Sequence, residues 1–228
     1  MKRVFQKAAL AALISGTACH AMAADSTTLT VSGTITPGTC VPTLSQSNVD
    51  FGALSTADLN ADSTKKTNLP SQVIQMSIHC SAPTKVAIIG HDNNPNVDGY
   101  ATTIDGGSLS LGLGEVSPGV SIGAWRARVG PYVGQAHADG ANVDMLIQDG
   151  STSGAWTMSK TANALGHAYS GGLEYTTWAQ PGELTPLAFT DVTAPLGVQA
   201  AIRPTSELGS VSDTVNLHGS LTIDLVYL

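Results

Sequence analysis

The C-terminal stretch that decides the fold class reads LTIDLVY over residues 221–227. Its apolar side chains fall at every second position, namely Leu221, Ile223, Leu225 and Tyr227. A period of two residues is typical of a β-strand with one buried face. The stretch therefore predicts a strand close to the end of the chain, with its apolar face turned towards a core.

Short segments of the same kind recur through the sequence and are separated by Gly and Pro, without a sustained apolar stripe of helical period. We predict strands over residues 28–36, 72–79, 85–89, 142–148, 173–179, 198–203 and 215–227. The hydrophobic content of 42% argues against disorder, because such a chain can bury enough apolar surface to offset its ordering entropy. The predicted fold class is all-β, an antiparallel β-sandwich or barrel-like pair of sheets.

The N-terminus has the three parts of a secretory signal. Basic residues precede an apolar run over residues 8–14, and small residues end in Ala21-Met22-Ala23. We therefore predict a signal peptide over residues 1–23 and export through the periplasm. The apolar run is far short of the roughly 20 residues that span a bilayer.

The charge balance disfavours nucleic acid and anionic membranes as partners. Removal of residues 1–23 takes away Lys2, Arg3 and Lys7 and no acid, so that the formal charge moves from −7 to −10. Both of those partners require clustered positive charge.

Two cysteines, Cys40 and Cys80, remain after the predicted cleavage. In an oxidising compartment a single remaining pair is expected to form a disulfide rather than a metal or redox site. The sequence predicts this disulfide as a structural bridge.

A second alternating segment stands ahead of Cys40. Its positions on one side are Thr27, Leu29, Val31, Gly33 and Ile35. Such a segment can pair within its own sheet or extend to the exposed edge of another molecule. The local pattern alone leaves both alternatives open, and favours the intramolecular one because most strands pair within their domain.

The layout resembles the subunits of chaperone-usher pili. The resemblance rests on the runs VSGTI (31–35), FGALSTADL (51–59) and IQMSIHC (74–80), and on a closing alternating strand with the penultimate aromatic Tyr227. It covers residues 27–90 and 215–228 best. The chain is longer than the usual major subunit of that family, so an insertion is expected within residues 93–172.

The resemblance implies an incomplete immunoglobulin-like sandwich, the pilin fold, which is completed by a donor strand from another molecule. A periplasmic chaperone would fill the groove first, and the outer-membrane usher and neighbouring subunits would be further partners. Residues 24–36 would be the donor extension and residues 37–228 the domain. Leu29, Val31 and Ile35 would be plugs, while Gly33 would mark a close backbone approach.

The function implied is a structural subunit of an extracellular fimbria that supports cell adhesion, with contact to a host or surface glycan at the level of the fibre. The alternative is a pilus-tip or secreted carbohydrate-binding adhesin, because Trp125, Trp156 and Trp178 could stack on sugar rings. Aromatic side chains are also favoured core residues of any sandwich.

We expect no enzyme activity, no metal and no cofactor. The chain lacks nucleophile-elbow, P-loop, dinucleotide and zinc-protease motifs, and its histidines are scattered. Asn94, Asn96, Asp98, Gly99 and Asp105 fall at calcium-loop spacings. The same residue types make hairpin turns, and the turn is the preferred interpretation. Residues 106–123 are either a glycine-rich loop or a weak strand pair.

Overall fold

A computed structural model describes residues 30–33, 38–62, 65–104, 107–150, 152–166, 168–169, 172–209, 211 and 214–228. The chain divides into two units between Ile35 and Thr36. In the first unit, residues 30–33 are exposed and form no strand. Among the described residues, no helix has the length and apolar character needed to cross a membrane.

Strands make up about half of the second unit. In chain order they are β1 (Cys40–Leu44), β2 (Thr67–Asn68), β3 (Gln72–Thr84), β4 (Val86–Asp92), β5 (Thr102–Ile104), β6 (Gly107–Leu109), β7 (Leu111–Gly112), β8 (Glu115–Ser117), β9 (Val120–Ser121), β10 (Gly123–Val129), β11 (Ala136–Ala138), β12 (Ala141–Asp149), β13 (Thr157–Met158), β14 (Asn163–Leu165), β15 (Ala168–Tyr169), β16 (Gly172–Ala179), β17 (Phe189–Ile202) and β18 (Leu221–Tyr227). A 3₁₀ turn lies at Thr56–Asp58, and the short helix α1 covers Thr205–Leu208.

The main sheet follows the order β1-β3-β17-β11-β12-β16-β4-β18, and all of its described pairings are antiparallel. Strands β1, β3, β17 and β10 form one layer, and β12, β16, β4 and β18 form the other. Strand β12 joins the layers, since it pairs with both β11 and β16. The two ends of the path, β1 and β18, are therefore edge strands. The prediction of an all-β antiparallel sandwich is confirmed.

The core lies between these layers and follows the alternation of the strands. In β3, Ile74, Met76, Ile78 and Cys80 are buried, while the residues between them are exposed or half-buried. From the facing layer, Val86, Ile88 and Trp178 enter the same cluster. The Trp178 ring meets Phe189 edge-on, with the ring centroids 6.0 Å apart. Such aromatic contacts add to the stabilisation from apolar burial.

The middle of the chain adds strands to this sandwich. The hairpin β5–β6 covers the outer side of β10 and β17, where Ile104 and Leu109 bury Ala124 and Ala201. Strands β8 and β9 form a second small hairpin. Residues 106–123, undecided from sequence, thus contain short strands over their described part.

The predicted disulfide between Cys40 and Cys80 is confirmed. The two residues face each other directly in the β1–β3 ladder, with their Cα atoms 4.0 Å apart. The bridge therefore ties the first residue of β1 to the middle of the long strand β3.

A buried carboxyl group makes stability depend on pH. Glu174, on β16, faces Asp149 across the β12–β16 ladder and is 8% exposed. Burial, together with the hydrogen bond and negative charge of Asp149, raises the pKa of Glu174 from 4.5 to about 7. The folded state thus retains a proton that the unfolded chain releases. The free energy of unfolding should consequently fall as the pH rises from about 4.5 to about 7.

We expect Glu174→Gln to remove most of this dependence, because the amide keeps the shape without the charge. The variant should exceed the original protein in stability by about 3 kcal/mol at pH 8 and differ little at pH 4. Urea unfolding across this pH range measures the difference. The exposed Glu183 supplies the control Glu183→Gln, and a Glu174→Gln curve parallel to that control would contradict the prediction.

Candidate strand-acceptor groove

The outer edge of β18 has unpaired backbone groups. β18 is hydrogen-bonded to β4 through its even-numbered residues, as the flanking bonds Asn93 N to Ser220 O (3.0 Å) and Leu228 N to Lys85 O (3.1 Å) show. In an antiparallel ladder the intervening residues direct their N–H and C=O groups to the opposite side. These residues are Leu221, Ile223, Leu225 and Tyr227. The described part of the chain provides no second strand beside them.

The same residues carry the apolar face of β18. Leu221, Ile223 and Leu225 are half-buried and pack against the main core, whereas Thr222 and Asp224 are exposed. Tyr227 differs from its three companions, because it is 51% exposed. Its hydroxyl reaches the other edge strand and accepts a hydrogen bond from the backbone N–H of Cys40 at 2.9 Å.

The edge of β1 is only partly able to pair with another strand. The bonds of Ser81 N to Thr39 O and of Ser45 N to Gln75 O place the odd-numbered residues in contact with β3. Cys40, Pro42 and Leu44 therefore face outwards. Pro42 has no N–H to donate, and proline is found at sheet edges for this reason. On this edge, Cys40 and Leu44 hold the remaining N–H groups.

Two neighbouring cavities lie beside one end of these edge strands, and of the two the smaller is lined by residues of β1 and β18. The smaller, of about 230 Å³, is lined by Leu44, Val49, Ile74, Trp125, Leu221 and Ile223 among others. The larger, of about 770 Å³, continues along Phe51, Leu59, Leu208, Val211, Val215 and Leu217. Asn48, Val49, Phe51 and Leu217 line both. Asp50 is the one ionisable side chain among the described lining residues, so the groove is almost uncharged.

The segment that leads into β18 forms one wall of this groove without being a strand. The sequence predicted a strand over residues 215–227, whereas the structure begins it at Leu221. Instead, His218 N bonds to Leu113 O at 2.8 Å, and Gly219 passes over Trp125. A Cβ atom at Gly219 would lie 2.7 Å from Trp125 Nε1. Contacts with Leu113 and Trp125 thus replace sheet pairing here, and this prediction was wrong for residues 215–220.

The predicted donor positions fall in the first unit and are only partly described. Val31 is 89% exposed, and among the described residues nothing lies within 4 Å of the position of a Cβ atom at Gly33. Thr27, Leu29 and Ile35 lie outside the described residues. The predicted strand over residues 28–36 has no regular structure over its described residues 30–33.

The candidate calcium loop is a turn over its described residues. Gly99 N bonds to Asn96 O at 3.2 Å, and Gly99 has a φ of +65° that suits glycine. The Asp98 carboxylate accepts from Ser121 and forms an ion pair with Arg203. These hydrogen bonds and the Arg203 charge outweigh the opposing effect of burial and lower the pKa of Asp98 to about 2. Asp105 lies outside the described residues.

Other sites considered from sequence are separate from the groove or belong to the core. His79 pairs with Asp191 at 2.7 Å and His91 with Asp224 at 3.5 Å, both on exposed strand surfaces. Within the described residues, His, Cys, Asp and Glu side chains form no group of three or more suited to a metal ion. Trp178 is a core residue, and Trp125 packs against the core with its indole N–H donating to Gly112 O at 2.9 Å.

Most residues of the groove wall are not predicted from the sequence. Val49 and Leu217 were given no role, and Phe51 was noted only as part of a resembling run. The sequence contains little evidence of their role, because they lie outside regular strands and follow no periodic pattern. They become neighbours only when the chain folds.

Comparisons with known proteins give the family. Residues 29–126 match the family described as "Protein of unknown function (DUF1120)". The chain is 32% identical to "Protein GltF" of Escherichia coli (strain K12) over 259 residues, which cover 100% of this chain and 99% of that protein. It is 28% identical to "Uncharacterized protein YhcF" of the same strain over 239 residues, which cover 95% and 98%.

The chain therefore belongs to the DUF1120 family together with GltF. The descriptions of this family and of these two relatives do not mention a pilus.

Proposed function

We propose that the protein is a structural subunit of an extracellular chaperone-usher fibre that polymerises by donor-strand exchange. The observation that carries the proposal is the open groove between β1 and β18, two edge strands of one otherwise continuous sheet. An incomplete sandwich of this form leaves backbone groups and apolar side chains in need of a partner strand.

The backbone groups and the charge of the groove indicate which type of strand would fit it. The N–H and C=O groups of Leu221, Ile223, Leu225 and Tyr227 offer a ladder to an extended segment. Each hydrogen bond of such a ladder contributes about 0.5–1.5 kcal/mol. The nearly uncharged cavities favour side chains without charge.

The proposed occupant is residues 27–35 of a second copy of the chain or of a related subunit. This segment contains no charged residue and alternates small polar with apolar side chains. It lies in a unit separate from the groove-bearing unit, and Val31 is exposed there. Full burial of Leu29 and Val31 would contribute roughly 1.5–3 kcal/mol each.

The proposal includes a route to the cell surface. Export through the periplasm would expose the open edge of β18 before assembly, and such an edge is prone to aggregation. A periplasmic chaperone that lends a strand would protect this edge, and an outer-membrane usher would then bring subunits together. The alternative of a carbohydrate-binding adhesin has less support, because Trp178 is a core residue, while Trp125 lines the smaller cavity and Trp156 is half-buried.

A peptide-binding experiment tests the proposal. A synthetic peptide of residues 24–35 should bind a variant that lacks those residues and raise its melting temperature, because a ligand specific for the folded state stabilises it. Binding would be followed by calorimetry and thermal unfolding.

Two altered peptides provide matched controls. Val31→Asp should abolish stabilisation, since it places a charge in an almost uncharged groove, whereas Thr30→Asp lies on the opposite face of the strand and should retain most of it. Failure of the unaltered peptide to bind, or equal loss with both altered peptides, would count against a strand-acceptor groove.

A further inference from the structure

The open groove has a hydrogen bond across one end. Cys40 is the first residue of β1, and its N–H points away from β3 towards the gap. Tyr227 is the last residue of β18, and its hydroxyl accepts that N–H at 2.9 Å. No other described hydrogen bond joins β1 directly to β18. At this end the two edges are therefore connected by a side chain.

The Tyr227 hydroxyl takes the acceptor position that a partner strand would use. The Cys40 N–H is directed to the open side of β1, where a carbonyl oxygen of an added strand would accept it. The Tyr227 hydroxyl accepts the same N–H at 2.9 Å.

The burial of Tyr227 indicates that packing is not its main contribution. Its side chain is 51% exposed, while Leu221, Ile223 and Leu225 on the same face are half-buried against the core. What distinguishes Tyr227 from an ordinary exposed residue at the end of a strand is the hydrogen bond between its hydroxyl and the Cys40 N–H.

We infer that Tyr227 is a latch of the groove: its hydroxyl occupies the Cys40 N–H in place of the missing strand, and an incoming strand must displace it to pair along the whole groove. The inference rests on the proposed function, because it assigns a control of strand entry to the same groove. Tyr227 would thus control strand entry indirectly, through its hydrogen bond with the Cys40 N–H.

Tyr227→Phe tests the latch, because it removes the acceptor and retains the ring. The probe is a fluorescent synthetic peptide of residues 24–35, added to dilute full-length protein so that chains do not fill one another's grooves. The association rate should rise about five-fold, the factor that corresponds to a hydrogen bond of about 1 kcal/mol. Tyr132→Phe is the matched control, since Tyr132 is an exposed tyrosine outside the groove, and its association rate should equal that of the original protein.

A second measurement reports on the hydrogen bond without the peptide. In protein labelled with ¹⁵N-cysteine, the Cys40 amide should exchange with solvent several-fold faster in Tyr227→Phe, while the Cys80 amide should be unchanged. A general loss of stability would instead accelerate both.

The outcomes distinguish the latch from the groove. Peptide that binds both proteins at the same rate, or unchanged exchange at Cys40, overturns the latch and leaves the proposed function intact. Peptide that binds neither protein overturns both, since a latch has no role where no strand enters.

Discussion

Deletion of residues 24–35 should abolish head-to-tail assembly while the remaining domain still folds. The deleted segment precedes β1 and belongs to a separate unit, whereas the core cluster is built from strands of the second unit. Without it the groove remains, but no strand is available for the next subunit. The purified variant should stay monomeric in sedimentation experiments and still be recovered with its chaperone.

A point substitution refines this test in the full-length chain. Leu29→Asp should reduce assembly nearly as far as the deletion does, whereas Thr28→Asp, at the neighbouring position on the other face, should assemble at close to the original level. If the deleted protein unfolds and no chaperone recovers it, the segment is an internal strand of its own domain and donor-strand exchange is the wrong mechanism.

Leu225→Asp should lower the periplasmic level of the protein at least ten-fold. Leu225 is half-buried against the core, and its backbone groups lie on the open edge. A carboxylate there would either be desolvated or prevent the apolar face from meeting a partner strand, at a cost of several kcal/mol. Co-purification with the chaperone should fall in parallel, while transport across the inner membrane should continue.

Two variants of the same strand serve as comparisons. Thr222→Asp places the same charge on the exposed face and should leave both yield and chaperone binding close to the original values. A charged residue at Tyr227 should have a smaller effect on yield than one at Leu225, because Tyr227 is already 51% exposed. Normal yield and normal chaperone binding in Leu225→Asp would identify β18 as an ordinary edge strand.

The strands that the sequence predicts are those with a clear alternation between a core face and a solvent face. Residues 72–79 and 142–148 fall within β3 and β12: β3 buries every second side chain from Ile74 onwards, and β12 starts in the same way with Val143 and Met145. Two-residue alternation does not predict the full length of β17. Its second half is buried on both faces, since the β5–β6 hairpin covers its outer side, and the alternation disappears there.

One further local signal in the sequence marks a hairpin. The pair Asp139-Gly140 is the two-residue loop between β11 and β12, with φ values of 47° and 82°. Asp-Gly is a strong hairpin signal because this turn requires positive φ at both positions. The Asp139 carboxylate also accepts from Thr190 Oγ1 at 2.6 Å and from Asp191 N at 2.8 Å, and these hydrogen bonds lower the pKa of Asp139. Those long-range contacts have no signal in the sequence.

The candidate site likewise has one part that the sequence predicts and another that depends on the folded structure. Alternation locates the apolar face of β18, because it depends on neighbouring residues only. The open edge, the contribution of Val49 and Leu217 to the cavities, and the contact between Tyr227 and Cys40 depend on which strands become neighbours. The two residues of that contact are 187 positions apart in the chain, and no periodicity connects them.

The disulfide has a mechanical consequence for a fibre joined through the N-terminal segment. Tension would enter the domain at Cys40, the first residue of the five-residue strand β1. A force applied to such a short edge strand would peel its hydrogen bonds away one after another. The covalent bond to Cys80 instead passes the load to β3, which has 13 residues and pairs with β17 along most of its length. Load on a long ladder acts on many hydrogen bonds together, so reduction of this disulfide should lower the force at which the fibre yields while leaving the groove itself in place.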